Sequence, residues 1–254
     1  MHFCIAKYGV HRKIMKMKIT LFFALLLAFS TFGFSQNVKV TSKKVTYNRP
    51  KSTENEYKRK FTIDRPIVSG ATGKKIEAIL SYEKNFGINI KEEQTEVSWL
   101  DDASFETKYN KNGILYVLLW VEGSGANPSI NSKSVVIDTK LGTKITPQAV
   151  FTNIPGLVAK VSKLQKAEMK KAIEDYKKDP DSADFDASTY FASAKYTAKD
   201  LNDFSISDEG ITLRYNYEFP HVALALQPLG EYLFTWAELK PFIKKGSVFG
   251  QFTK

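Results

Sequence analysis

The stretch NKNGILYVLLWVEGSGANP, Asn110 to Pro128, decides the fold class. Ile114 to Val121 is apolar almost throughout, and a run of that length bounded by turn residues reads as a strand covered on both faces. Ahead of it, Asn110-Lys111-Asn112-Gly113 supplies the asparagine and glycine that a tight hairpin needs for positive φ. Behind it, the segment Gly123 to Pro128 returns the chain into a second strand, Ser132 to Asp138, closed by a turn around Gly142. A central strand with a hairpin on each side predicts an antiparallel meander.

Outward from this centre the pattern alternates between strands and helices. On the N-terminal side, Tyr57 to Ile63 reads as a strand and Pro66, Ser69 and Gly70 as a turn. A short helix from about Thr72 to Tyr82 comes next, with Ile76, Ile79 and Leu80 on the face that meets a sheet. Glu96 to Tyr109 alternates, with Phe105, Thr107 and Tyr109 expected on one side and Glu106, Lys108 and Asn110 on the other.

On the C-terminal side, Gly156 to Lys177 is expected to be the longest helix, with Leu157, Val161 and Leu164, then Met169, Ile173 and Tyr176, as offset apolar stripes. A second hairpin joins Asp203–Ile206 to Ile211–Phe219 through Asp208-Glu209-Gly210, its second arm alternating through Ile211, Leu213, Tyr215, Tyr217 and Phe219. A last strand, Glu231 to Trp236, runs into a short helix, Ala237 to Ile243. Mixed order with antiparallel neighbours predicts an α+β fold, a largely antiparallel sheet carrying one long and two or three short helices.

The N-terminal region reads as export machinery. Lys16 and Lys18 precede the apolar run Leu21 to Phe29, too short for a membrane span, and small residues at Gly33 and Ser35 suit cleavage after Ser35. We therefore expect translation from Met15 or Met17, a signal peptide through residue 35, a polar segment over residues 36–56 that is flexible or forms a sheet edge, and a single domain over 57–254. Periplasmic or extracellular localisation is the consequence. The formal charge of +10 includes five basic leader residues; without them 32 basic residues face 27 acidic ones, about +5. Such a diffuse excess suits anionic envelope polymers and gives no footprint for nucleic acid.

Composition also bounds the chemistry. The sole cysteine, Cys4, lies in the leader, as do His2 and His11 of the three histidines, so the mature chain has His221 alone. Thiol nucleophiles and multi-histidine zinc sites are excluded by counting, and a serine-histidine-aspartate triad has only His221 to draw on. Asp101-Asp102 and Glu92-Glu93 are carboxylate pairs of a kind used in glycoside hydrolysis, but with 27 acidic residues pairs arise by chance. The run Asp179, Asp181, Asp184, Asp186 lacks the glycine and terminal glutamate of a calcium loop. Trp99, Trp120 and Trp236 suit either the core or stacking on sugar rings. No cofactor and no metal are expected.

Four segments, in order, resemble the extracytoplasmic domain shared by the lysozyme-sensing anti-sigma factor RsiV, the N-terminal part of the peptidoglycan deacetylase PdaC and a secreted mycobacterial antigen. They are IDRPIVSGATGKKIEAIL (63–80), NGILYVLLWVEGSGANP (112–128), SVVIDTKLGTKITPQAVF (134–151), and ITLRYNYEFP with ALQPLGEYLFTWAELKPFI (211–220 and 225–243). The resemblance implies a stand-alone α+β module whose relatives bind and sense in the cell envelope. Asn127 stands where the family's loop commonly has histidine, so no role tied to that imidazole carries over. The expected function is non-catalytic recognition of an envelope glycan or a protein such as lysozyme. Its candidate surface comprises Gly123, Ser124, Gly125, Asn127 and Pro128 from one loop and Pro220, His221 and Gln227 from another. The alternatives are a carboxylate-dependent hydrolase of envelope polysaccharide and a structural surface protein without a small ligand.

Overall fold

The computed structural model describes residues 37–50, 59–95, 99–124, 128–178 and 186–253. The leader, with its expected cleavage after Ser35, lies outside the described residues, as do Asp179, Asp181 and Asp184, and Gly125, Ala126 and Asn127.

The first sheet has six strands in sequence order: β1 (Val40–Asn48), β2 (Lys60–Val68), β3 (Leu100–Lys111), β4 (Ile114–Ser124), β5 (Pro128–Asp138) and β6 (Thr143–Lys144). Every neighbour pair is antiparallel except β2 with β3, which run parallel and pair only at Thr62–Asp102 and Ile63–Ala103. Parallel neighbours require a crossover. Here it contains three short helices, α1 (Gly73–Ile79), α2 (Tyr82–Phe86) and α3 (Ile90–Glu93). A single helix was expected over Thr72 to Tyr82; Ser81 instead sits in extended backbone and caps α2, its side chain accepting from the Lys84 N–H.

The meander forms as the central stretch predicts. Asn112 and Gly113 both take positive φ, 57° and 73°, the geometry of the tight hairpin between β3 and β4. β4 lies between β3 and β5 and alternates between two cores: Leu115, Val117, Leu119 and Val121 face α1 and α2, whereas Ile114 and Tyr116 face the other way. The alternation expected for β3 is corrected by a bulge. Between Thr107 and Tyr109 the register shifts, so Lys108 is an extra residue. A one-residue slip reverses the face of every later side chain in the strand. Phe105 therefore packs on the helix side and Tyr109 in the opposite core, while Thr107 is exposed.

The second sheet has strands β7 (Phe204–Ile206), β8 (Gly210–Arg214) and β9 (Glu231–Thr235), all antiparallel. Its second arm is shorter than expected. Beyond Arg214 the chain leaves the ladder, Glu218 takes φ 55°, and Tyr217 and Phe219 join a separate cluster. The helices on this side are α4 (Pro147–Val150), α5 (Ile154–Tyr176), α6 (Ala187–Phe191) and α7 (Trp236–Leu239). Asn153 caps the 23-residue α5 by accepting from the Gly156 N–H at 3.2 Å.

The buried face of α5 is Leu157, Val161 and Gln165, one residue every four. Leu164, expected in that stripe, is 42% exposed because it lies about 100° round the helix from Gln165. Gln165 takes the inward place and accepts the Tyr196 N–H at 2.9 Å. One turn on, Glu168 accepts the hydroxyls of Tyr217 and Tyr232 at 2.8 and 2.7 Å and the Gly230 N–H at 3.1 Å. These bonds tie α5 to β9 and to the segment after β8.

Candidate functional site

At the β4–β5 end of the first sheet, on its helix-bearing face, a cleft of about 620 Å3 opens between the α2–α3 segment and the two strands. Trp99, Phe86 and Val121 give it apolar wall, and Lys84, Asn89, Glu92, Asn131 and Lys133 give it polar groups. Its sequence origin is local on one side: Gly87, at φ 70°, ends α2, and Asn89 caps α3 by accepting from the Lys91 N–H at 3.1 Å. Two short capped helices bring Lys84 and Glu92 to the same rim. Opposite them, Lys133 places its ammonium 5.7 Å from the centre of the Phe86 ring, within cation–π range.

Trp99 is held by two devices. The first is Gly123: a Cβ there would lie closer than 3.0 Å to indole carbons and to the Trp99 carbonyl, so only glycine lets the ring rest on β4. Ser124 adds a backbone N–H donated to that carbonyl at 3.1 Å, and its hydroxyl pairs with Asp101. The second device is Glu93, whose Oε2 accepts the Trp99 N–H at 3.2 Å and the Leu100 N–H at 2.8 Å.

Arg49 braces this arrangement from β1's end of the sheet. Its Nε donates to the Glu93 carbonyl at 2.7 Å, its Nη2 donates to the Leu100 carbonyl at 2.5 Å, and Nη2 lies 3.5 Å from Glu93 Oε2. The guanidinium also sits 4.7 Å above the Phe61 ring. Burial pulls the Arg49 pKa down while Glu93 and Asp101 push it back up, and a guanidinium stays charged throughout the range of a folded protein. A buried cation with fixed partners makes this corner rigid rather than adaptable.

The expected site residues separate into two places. Gly123 and Ser124 are the last residues of β4, paired with Ser129 and Pro128 of β5, so they form a hairpin end under Trp99 rather than an open loop. Gly125 and Asn127 lie outside the described residues. Pro220 caps a 3-10 turn over His221–Leu226, and Gln227 accepts the Phe219 N–H at 2.9 Å. That segment packs through Phe219 and Ala223 into the cluster beside α5 and α6, a different cluster from the one holding Trp99.

Three of these four carboxylates hold the backbone or a hydroxyl in place: Glu93 binds the Trp99 and Leu100 amides, Asp102 accepts the Thr62 hydroxyl and Asp101 the Ser124 hydroxyl, while Glu92, on the cleft rim, accepts from the Asn89 side chain at 2.7 Å. Among the described residues no group of three His, Cys, Asp or Glu side chains is placed to hold a metal ion. Arg49 and the helix-turn residues 84–89 were not singled out from the sequence. Arg49 lies 51 residues from Leu100, and no local pattern announces a contact at that separation.

No protein-family model and no curated protein matches the chain. Solved structures do. A DUF3298 family member from Bacteroides fragilis NCTC 9343 superimposes with a TM-score of 0.58 over 86% of this chain and 98% of its own, at 14% identity. A DUF3298 family protein from Pseudomonas aeruginosa PAO1 gives 0.54 over 84% and 97%, at 12% identity. The fold is DUF3298-like. At such identities the likeness speaks for the path of the chain alone, and the DUF3298-like domain is one of unknown function. Among the described residues no helix is long and apolar enough to cross a membrane.

Proposed function

We propose that this DUF3298-like domain is a non-catalytic binding module of the cell envelope, exported by its N-terminal signal, and that the cleft beside Trp99 takes an envelope glycan. The observation that carries this is the cleft itself. At about 620 Å3 it falls within the range of roughly 300–1,000 Å3 typical of small-ligand sites. It combines a pre-positioned indole with amide and ammonium groups suited to sugar hydroxyls and to the acidic groups of envelope polymers. Its rigidity supports the same use, since a braced aromatic loses little freedom on binding.

The ordered sequence resemblance to the RsiV and PdaC extracytoplasmic domain supports envelope recognition and brings a lysozyme-like protein as the second ligand class. Calorimetry against soluble peptidoglycan fragments and against lysozyme tests the proposal. Binding of glycan fragments that is lost in Trp99→Ala is the expected result. Heat of binding to neither probe, or glycan binding indifferent to Trp99→Ala, overturns it. Export is tested separately by fractionation and N-terminal sequencing, which should find the mature chain starting at Gln36.

A further inference from the structure

The three tryptophans have different fates. Trp236 is core, stacked on Phe252 at 4.1 Å with its indole N–H donated to the Asp208 carbonyl at 3.0 Å. Trp99 lines the cleft. Trp120 does neither. It lies between Leu119 and Val121, which face the helices, so strand alternation sends its side chain to the opposite side of the sheet. That side is filled farther along β4 by Ile114 and Tyr116 against the second sheet, but Trp120 is only half-buried and, among the described residues, joins none of the three apolar clusters. Its indole N–H donates to no described residue.

The register supplies its neighbours. Trp120 is flanked by Ser104 on β3 and Ser132 on β5, small side chains that leave the indole standing above the sheet. In the adjacent row Glu122 pairs across to Asp102, and Asp102 is next to Thr62 on β2. Two strands from the ring, on the same side, Asp64 has a carboxylate oxygen, Oδ1, that is buried without a hydrogen-bond donor among the described residues. Lys44 lies opposite Asp64 on β1, so the outer strand is basic and the rows around the ring are acidic. A half-buried tryptophan outside the apolar clusters, with serines at its sides and carboxylates one row away, is an unusual use of a central strand, where an apolar side chain is ordinarily covered.

We propose that this face, centred on Trp120, is a saccharide platform that accepts neutral or amino-bearing sugars and rejects anionic ones. The indole offers a flat apolar surface to the C–H face of a pyranose, while Glu122 and Asp102 accept from hydroxyl or ammonium donors, with the buried Asp64 carboxylate adding negative potential beneath the face. Charge decides the selectivity. A carboxylate-bearing sugar would meet like charge on Glu122 and Asp102, whereas a free amine would gain from both carboxylates and from the indole ring. The site is separate from the cleft, on the opposite face of the same strand, and does not depend on the cleft being occupied.

The test uses three tetrasaccharides on the purified chain: the N-acetylglucosamine oligomer, its deacetylated glucosamine form and oligogalacturonate, with binding read by calorimetry and by tryptophan fluorescence. The first two should show binding that depends on Trp120, tighter for the glucosamine form, and the galacturonate should show none that depends on it. Trp120→Ala should weaken binding about tenfold or more while the chain stays folded, read as an unchanged far-ultraviolet circular dichroism spectrum. Glu122→Lys should weaken the glucosamine form more than the acetylated one. Because the cleft is itself proposed to take glycan, the same titrations are repeated on Trp99→Ala; the part of the binding that Trp120→Ala removes should persist there, which separates failure here from failure of the cleft. Galacturonate binding that Trp120→Ala abolishes, glucosamine and N-acetylglucosamine binding insensitive to Trp120→Ala, loss of the Trp120-dependent part of the binding in Trp99→Ala, or a lysine-rich peptide as the sole ligand of this face would each overturn the proposal.

Discussion

Gly123→Ala is the sharpest probe of how the cleft is built. The new methyl would lie closer than 3.0 Å to two indole carbons and to the Trp99 carbonyl oxygen, so ring and strand must part. Overpacking of this kind costs about 1–3 kcal/mol. Replacing glycine within a strand returns roughly 0.5–1 kcal/mol of backbone entropy. The difference runs from about zero to about 2.5 kcal/mol, and a clash with ring carbons and a backbone oxygen at once places it in the upper part, about 1–2.5 kcal/mol, which for a domain of this size lowers the melting temperature by roughly 2–10 °C. The Ser124 N–H bond to the Trp99 carbonyl, 3.1 Å in the wild type, should lengthen with it. Calorimetric melting measures the stability, and tryptophan emission reports whether the indole has moved into water. A melting temperature equal to or above the wild type, with unaltered emission, would refute the claim that this glycine exists to seat Trp99.

Three further outcomes are expected. Glu168→Ala strands the Tyr217 and Tyr232 hydroxyls and the Gly230 amide and should cost about 2–4 kcal/mol in chemical denaturation, with Glu168→Gln losing less because it keeps an acceptor. Burial raises the pKa of Tyr82, Tyr196, Tyr217 and Tyr232, so their stabilising effect is complete below the unfolded tyrosine value near pH 10 and declines above it, by about 1.4 kcal/mol per pH unit for each. Phenolate absorbance should accordingly show these four rings titrating only as the protein unfolds in alkali. Burial pushes Glu83 up, but the hydrogen bonds and charge of Arg65, the nearer bond at 2.6 Å, together with hydrogen bonds from the Glu83 backbone N–H and from Ser81, outweigh it and leave the carboxyl below its usual value. Its contribution is therefore present above about pH 4.3 and lost as acid protonates it; for a pair this exposed it amounts to no more than about 1 kcal/mol, and Glu83→Gln should flatten that part of the acid stability curve.

What was legible in the sequence was whatever depends on near neighbours. The Asn112-Gly113 turn and the two-sided burial of β4 come from residues within a few positions of one another, and both are present. The misses have two sources. One is a single inserted residue: no composition signal marks Lys108 as a bulge, yet it reverses Tyr109, and Glu218 with its positive φ likewise ends an alternation that otherwise runs on to Phe219. The other is distance along the chain. Gly123 was noticed as part of a flexible loop, whereas its role comes from Trp99 lying against it, and Trp99 is fixed by Glu93 and by Arg49 from another strand. Leu164 and Gln165 show the same limit on a helix, since hydrophobicity favoured the leucine and the Tyr196 amide decided for the glutamine.

The parallel seam between β2 and β3 has a consequence for motion. Strands β3, β4 and β5 are joined by hairpins and pair over most of their length, but the β1–β2 ribbon meets them at only two register positions. In native-state hydrogen exchange that ribbon is the place for the sheet to unzip first, leaving the meander intact. Arg49, at the end of β1, is the bolt across the seam, so anything that tightens the Trp99 corner should slow exchange in a strand that makes no contact with the ligand.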